Sequence, residues 1–263
     1  MRLLAIGLAV VVVLYVVASA VLFFGQRSIV FPAPTHRVPW PAGFAQVSII
    51  TADGLPLQAA YRPAPEGRPI AVFFHGNGDN WDGGAAATTH LAAANYGILL
   101  PEYRGYSGNP GNPTEGGLYR DGRAAIEWLM AQGIASDQII MIGNSVGSGV
   151  AVQMAAEATP AALILVSPFE SLVRLAGEKF RWFPASWLVR DRFDNVGKIG
   201  RVRAPVLILH GKNDALIPVG HAQRLAAASP AAKLVLFDGI GHELAYDNRA
   251  QVAEVSWLKE LGE

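Results

Sequence analysis

The chain has 263 residues, and its 21 Lys+Arg balance 21 Asp+Glu, so no basic surplus points to a nucleic-acid partner. It contains no cysteine, which excludes disulfide frameworks, thiolate metal sites, iron–sulfur clusters and cysteine nucleophiles. Such a length, less an apolar N-terminal segment, suits one large domain better than two small ones.

Between Arg2 and Arg27 no side chain is charged, and residues 3–24 are almost all Leu, Val, Ala, Ile and Phe. As a helix rising about 1.5 Å per residue this run spans roughly 33 Å, enough for a bilayer core of about 30 Å. The expectation is a single-pass transmembrane anchor over residues 1–25, in contact with membrane lipid. A cleaved signal peptide is the alternative, because Ala18-Ser19-Ala20 has the small residues of a cleavage site. The apolar run nevertheless continues through Val21, Leu22, Phe23 and Phe24. No polar face interrupts it, as one would in the helix of a soluble core. Arg2 on one side and Arg27 and Arg37 on the other give little charge asymmetry from which to read orientation. Residues 26–45 carry Pro32, Pro34, Pro39 and Pro41 with Trp40 and Phe44, and read as an extended interfacial linker.

Residues 46–263 read as one domain. Segments 47–51 and 57–61 flank the turn Ala52-Asp53-Gly54 and predict a β-hairpin at a sheet edge. Apolar runs at 70–74, 98–101, 139–142, 162–166, 206–209 and 233–237 then alternate with helical stretches at 84–95, 117–132, 146–157, 221–228 and 249–261. Strands that are apolar throughout, separated by helices, predict a mostly parallel sheet covered on both faces. An insertion at about 168–203 breaks the rhythm and carries Phe180, Trp182, Phe183, Pro184, Trp187 and Leu188.

The strongest motif is Gly143-Asn144-Ser145-Val146-Gly147, between a predicted strand and a predicted helix. In that context G-x-S-x-G is a sharp turn lifting the serine hydroxyl clear of the sheet, with free N–H groups of the helix start behind it. A serine hydroxyl needs a base. Of the six histidines, His242 sits on a glycine-loosened loop, Asp238-Gly239-Ile240-Gly241-His242, after the last strand. His36, His90 and His221 read as surface residues, and His210, at a strand end, as a packed neighbour of the site. His242-Glu243 has no second histidine four residues on, so it is no zinc motif. The base needs a carboxylate partner. Asp214 follows the strand at 206–209 and gives the order Ser145, Asp214, His242. Asp194 and Asp238 are the rivals, Asp194 reading better as a turn or cap and Asp238 lying too near His242 in sequence. His75-Gly76-Asn77-Gly78 follows another strand, and the backbone N–H groups of Asn77 and Val146 are the candidate oxyanion donors.

These residues, together with Glu102-Tyr103-Arg104-Gly105-Tyr106-Ser107-Gly108 and Asp214-Ala215-Leu216-Ile217-Pro218, resemble the membrane-anchored branch of ABHD-type α/β-hydrolases from about Gln26 to the C-terminus. The resemblance implies the α/β-hydrolase fold, a Ser–His–Asp triad of Ser145, His242 and Asp214, no metal and no cofactor. Its relatives include depalmitoylases, lysophospholipases and other esterases. Glu102 stands where the family usually has Asp, Asn144 where a larger or basic residue is common, and Ser148 where Gly is common. The family's dehalogenases and epoxide hydrolases use an aspartate nucleophile, against which Ser145 argues. The expected activity is hydrolysis of carboxylic esters or thioesters of small-molecule or lipid-like acyl substrates. Trp182, Phe183 and Trp187 are the expected acyl-binding wall or lid, core packing being the alternative. A peptidase of the same fold and a catalytically silent membrane-bound binding module are the rival functions.

Overall fold

The computed structural model describes residues 1–34 and 38–263. The readings of His36 and Arg37 therefore fall outside the described residues. Helix α1 (Arg2–Val30) carries an 18-residue window of mean hydropathy 2.8, none of it buried, and is long and apolar enough to cross a membrane. It runs five residues past the expected end at residue 25, because nothing before Pro32 breaks a helix. Described parts of the linker pack on the domain. Phe31 is buried, and Trp40 stacks on Trp81 with ring centroids 4.2 Å apart.

Strands β1 (Ala45–Ile50) and β2 (Pro56–Arg62) form the antiparallel hairpin. Then come β3 (Ile70–Phe74), α2 (Trp81–Ala87), α3 (Thr89–Ala93), β4 (Gly97–Pro101), α4 (Glu115–Ala131), β5 (Ile139–Asn144), α5 (Gly147–Glu157) and β6 (Ala162–Val166). The insertion folds as α6 (Leu172–Lys179), α7 (Ala185–Leu188) and α8 (Val196–Ile199). β7 (Val206–Gly211), α9 (Gly220–Ala227), β8 (Ala232–Phe237) and α10 (Asn248–Leu261) complete the chain. The single helix expected at 84–95 is two short ones. Thr88 Oγ1 donates to Gly84 O at 2.8 Å and Thr89 Oγ1 to Ala86 O at 2.9 Å, and such back-bonding competes with a regular helix. Elsewhere polar side chains set the starts: Thr114 accepts from Gly117 N–H ahead of α4, Ser171 from Arg174 N–H ahead of α6, and Asp247 from Arg249 N–H ahead of α10.

The eight strands lie in the order β1-β2-β4-β3-β5-β6-β7-β8, with β2 antiparallel to both its neighbours and the pairs from β4 to β8 parallel. Alternate residues of a central strand feed opposite cores. In β5, Ile139 and Met141 pack with α4, α5 and α9, whereas Ile140 and Ile142 pack with α2, α3 and α10. Both faces are covered, so the strand reads as one continuous apolar run. Among the parallel strands β8 is the exception, being a half-exposed edge strand.

A buried arginine ties the hairpin to the sheet. Arg104, after β4, donates through Nε to Asp121 Oδ1 on α4 at 2.8 Å, and through Nη1 and Nη2 to Asp53 in the hairpin turn at 2.8 and 3.0 Å. Burial pushes the Asp121 carboxyl up, and its bonds from Arg104 oppose that. Removing Arg104 leaves Asp121 buried and unpaired, so Arg104→Met is expected to lower unfolding free energy by about 3–5 kcal/mol in a urea titration.

Glu254, buried on α10, is pushed by burial up to about 8 from 4.5. Below pH 4.5 both states hold the proton; between there and about 8 the unfolded chain ionises while the folded one does not. Stability therefore falls as pH rises through that window, by at most about 1.4 kcal/mol per pH unit. Glu254→Gln is expected to match the parent melting temperature near pH 4.5 and to exceed it by a margin that grows towards pH 8; an equal margin at both pH values would refute this.

Candidate active site

β3 and β5 are adjacent and parallel, yet β3 leads to helices on one face of the sheet and β5 to α5 on the other. Connections that diverge in this way leave a crevice at the carboxyl ends of the strands, where ligands of open α/β sheets bind. Ser145 follows β5 at that point and has φ +50°, a left-handed conformation for a side-chain-bearing residue. Its N–H donates to Val166 O at 3.0 Å, and its carbonyl accepts from Ser148 N–H at 3.0 Å and Ser148 Oγ at 2.6 Å. The flanking glycines are required by space. A Cβ on Gly147 would collide with the carbonyl oxygen of Phe74 and lie 2.6 Å from that of His75. One on Gly143 would sit 2.6 Å from Gly147 O.

His242 lies on the loop after β8 and reaches over the serine. Its Nε2 is 3.0 Å from Ser145 Oγ, and its Nδ1 is 2.8 Å from Asp214 Oδ2. The carboxylate accepts from Nδ1–H, which leaves Nε2 as the acceptor for the serine hydroxyl. Asp214 is itself fixed, since its Oδ1 accepts from Leu216 N–H at 2.9 Å and Ile217 N–H at 2.8 Å. Burial pushes this carboxyl up, but the bonds from His242 and the Ile217 N–H outweigh it and hold it below the usual carboxylate range. The three side chains brought together are those expected from the sequence. His210 is fully buried beside them, donating from Nε2 to Ile217 O at 2.9 Å, with the same nitrogen 3.6 Å from Asp214 Oδ2. Burial lowers its pKa, so it supports the Asp214 loop as a neutral ring.

The rivals lie apart. Asp194 accepts from Gly197 N–H at 3.2 Å, a local turn. Asp238 is exposed and pairs with Lys212 at 2.9 Å. His90 is half-buried on α3. His221 is a correction: it is completely buried, on the inward face of α9 with Ala222 and Leu225. Its Nδ1 accepts from Glu170 N–H at 3.3 Å, and its Nε2 meets Glu178 Oε2 of α6 at 3.1 Å.

Asn77, on the loop after β3, and Val146, at the start of α5, both line one cavity with Ser145. Their backbone N–H groups donate to no other group among the described hydrogen bonds. The loop is anchored by a buried pair that the sequence reading missed. His75 Nδ1 donates to Gly76 O at 2.8 Å, while Nε2 lies 2.9 Å from Glu102 Oε1, off the best hydrogen-bonding direction. Burial opposes a charged His75, and the Glu102 carboxylate outweighs it and raises the pKa. Glu102 Oε2 also accepts from Trp81 N–H and Ser107 Oγ, each at 3.1 Å. The signal lay in a carboxylate at the end of an apolar strand, which has to be paired once buried.

The cavity over Ser145 holds about 410 Å³ and is almost wholly apolar. Phe183 lines it, with Phe169, Leu172 and Phe180. Trp182 and Trp187, expected in the same wall, do not; they are 80% and 85% exposed, Trp182 in the turn before α7 and Trp187 on α7 itself. α1 also contributes to the wall, through Leu22, Gln26, Ile29 and Val30. No contribution from the anchor segment was expected. Among the described residues no group of three or more His, Asp or Glu is placed to hold a metal ion.

Residues 71–196 match a model described as Alpha/beta hydrolase family, and residues 177–257 one described as TAP-like protein. Uncharacterized protein Rv2307c of Mycobacterium tuberculosis is 36% identical over 248 residues, covering 90% of this chain and 88% of its own length. Human Alpha/beta hydrolase domain-containing protein 17B is 34% identical over 172 residues, covering 62% of this chain and 56% of its own. Among solved structures, a Pyrococcus furiosus esterase, Pf2001, superposes with a TM-score of 0.68 at 19% identity, over 88% of this chain and 96% of its own. The elbow at the sheet's switch point and the extent of these matches agree, and the chain belongs to the alpha/beta hydrolase family.

Proposed function

We propose that the protein is a serine hydrolase of carboxylic esters or thioesters with apolar acyl groups, held at a membrane by α1. The observation that carries this reading is the unbroken line Ser145 Oγ–His242 Nε2–Asp214 Oδ2, at 3.0 and 2.8 Å, opening into an apolar cavity. In the proposed reaction Ser145 Oγ attacks the acyl carbon while His242 Nε2 takes the hydroxyl proton. The carbonyl oxygen becomes an oxyanion facing the N–H groups of Asn77 and Val146, where one such donor is worth about 10²–10³ in rate. Collapse leaves the acyl group on Ser145, and the leaving alcohol or thiol departs with the proton from His242. A water activated by His242 then attacks the acyl-enzyme and releases the carboxylic acid. Asp214 keeps Nδ1 protonated throughout and steadies the imidazolium. A peptide amide would need a wall of polar partners for its backbone, and the apolar lining favours acyl chains instead.

Fluorophosphonate labelling of the detergent-solubilised full chain tests the nucleophile. Labelling is expected in the parent and absent in Ser145→Ala; equal labelling of both, or none of the folded parent, would overturn the assignment. Asp214→Asn is expected to keep the fold and lower kcat on an activated ester by roughly 10⁴, by presenting the wrong imidazole tautomer. A loss below about tenfold would remove Asp214 from the triad.

A further inference from the structure

We propose that α1 is a working wall of the acyl site as well as an anchor, so that acyl chains reach Ser145 from the bilayer and Leu22 helps to set which chains are accepted. The inference rests on the hydrolase reading above. It starts from spacing. Tyr15, Leu22, Gln26 and Ile29 fall at i, i+7, i+11 and i+14, a single stripe along a helix. That stripe is held against the insertion at several points. Tyr15 stacks on Phe183 with ring centroids 5.3 Å apart and an interplanar angle of 6°, and its hydroxyl donates to Trp182 O at 2.9 Å. Gln26 donates to Leu188 O at 3.0 Å and accepts from Arg190 N–H at 2.8 Å. Arg27 pairs with the buried Asp191 at 2.9 Å, and Asn77 of the oxyanion loop donates to Ile29 O at 3.3 Å.

These bonds turn the polar end of Gln26 onto the backbone of the insertion. α1 gives the cavity the apolar side chains of Leu22, Ile29 and Val30, and the insertion those of Leu172, Phe180 and Phe183, while the ammonium of the lining Lys179 donates to Ala215 O at 2.6 Å. The axial position follows from the rise of the helix. Tyr15 lies nine residues before Phe24, the end of the uncharged apolar run, or about 14 Å at about 1.5 Å per residue. The insertion therefore meets α1 within the part of the helix that would sit in hydrocarbon. Its outer side carries the exposed indoles of Trp182 and Trp187, residues suited to the membrane interface. Arg190, above the Phe23 ring at 5.5 Å, and Arg27 mark where charge resumes. A substrate whose chain lies in the bilayer would pass between α1 and the insertion without crossing water.

The test uses the full-length chain in phosphatidylcholine vesicles, with hydrolysis of p-nitrophenyl acetate and dodecanoate and binding of a fluorescent lauric acid as separate readouts. Leu22→Trp fills the wall and Leu22→Asn makes it polar; Leu22 is only partly buried, so neither change attacks the core. Val13→Asn, on the opposite side of α1, is the control. Both Leu22 variants are expected to lower the dodecanoate-to-acetate ratio of kcat/KM by roughly tenfold or more and to weaken laurate binding, with Val13→Asn changing neither. Parent-like ratios and laurate binding in both Leu22 variants would overturn the inference. Laurate binding that weakens in the Leu22 variants of a protein hydrolysing neither ester would keep the acyl wall and sink the hydrolase reading instead.

Discussion

The rest of the site depends on how closely the turn after β5 packs against the end of β3. Gly147 lies so near the carbonyls of Phe74 and His75 that no side chain fits between them. This contact sets three things together. It forces Ser145 into its left-handed conformation, it brings the start of α5 beside the loop carrying Asn77, and it fixes the spacing of the two N–H groups that face the proposed oxyanion. Strain of this kind persists because the surroundings over-determine it, here through the bond from Ser145 N–H to Val166 O on the neighbouring strand.

Charge is then arranged around that fixed backbone. The carboxyl ends of the strands carry two His–carboxylate pairs with different tasks, one half-exposed and one buried. His242–Asp214 faces the serine, whereas His75–Glu102 lies behind the oxyanion loop, with the rings of Tyr103 and Tyr106 packed on His75. Each carboxylate is further bonded by backbone N–H groups: Asp214 by Leu216 and Ile217, Glu102 by Trp81. Such bonds satisfy and orient a buried carboxylate. Glu102 spans from the strand end to His75 on one oxygen and to Trp81 and Ser107 on the other.

The insertion and α1 supply what the sheet lacks. A parallel sheet with its loops forms the floor of the crevice and gives part of its apolar lining, through Val146, Phe169, Leu216 and Ile217. Helices α6 and α7 with the C-terminal part of α1 enclose the cavity. They are joined to one another by side chain-to-backbone bonds and one ion pair, with few large residues buried between them. Segments held in this way open at lower free energy than a core does. That would suit the proposed passage of an acyl chain through this wall.

Local chemistry in the sequence determined much of this. The apolar runs determined the strands, because covering both faces of a sheet demands them. Gly143-x-Ser145-x-Gly147 determined the elbow, since only glycine tolerates those contacts, and chain order with glycine-loosened loops singled out Asp214 and His242, which the fold brings beside Ser145. The helix break at Thr88 was less legible, because side-chain back-bonding leaves a helical composition unchanged. Tertiary structure alone decided the burial of His221, the pairing of His75 with Glu102, the outward turn of Trp182 and Trp187, and the entry of Leu22 and Ile29 into the cavity. Each of these depends on how separate elements are brought together, even for His75 and Glu102, which lie only 27 positions apart in sequence on neighbouring strand ends. Hydrophobic period and turn chemistry encode what a segment does; they do not encode which other segment its exposed face will find.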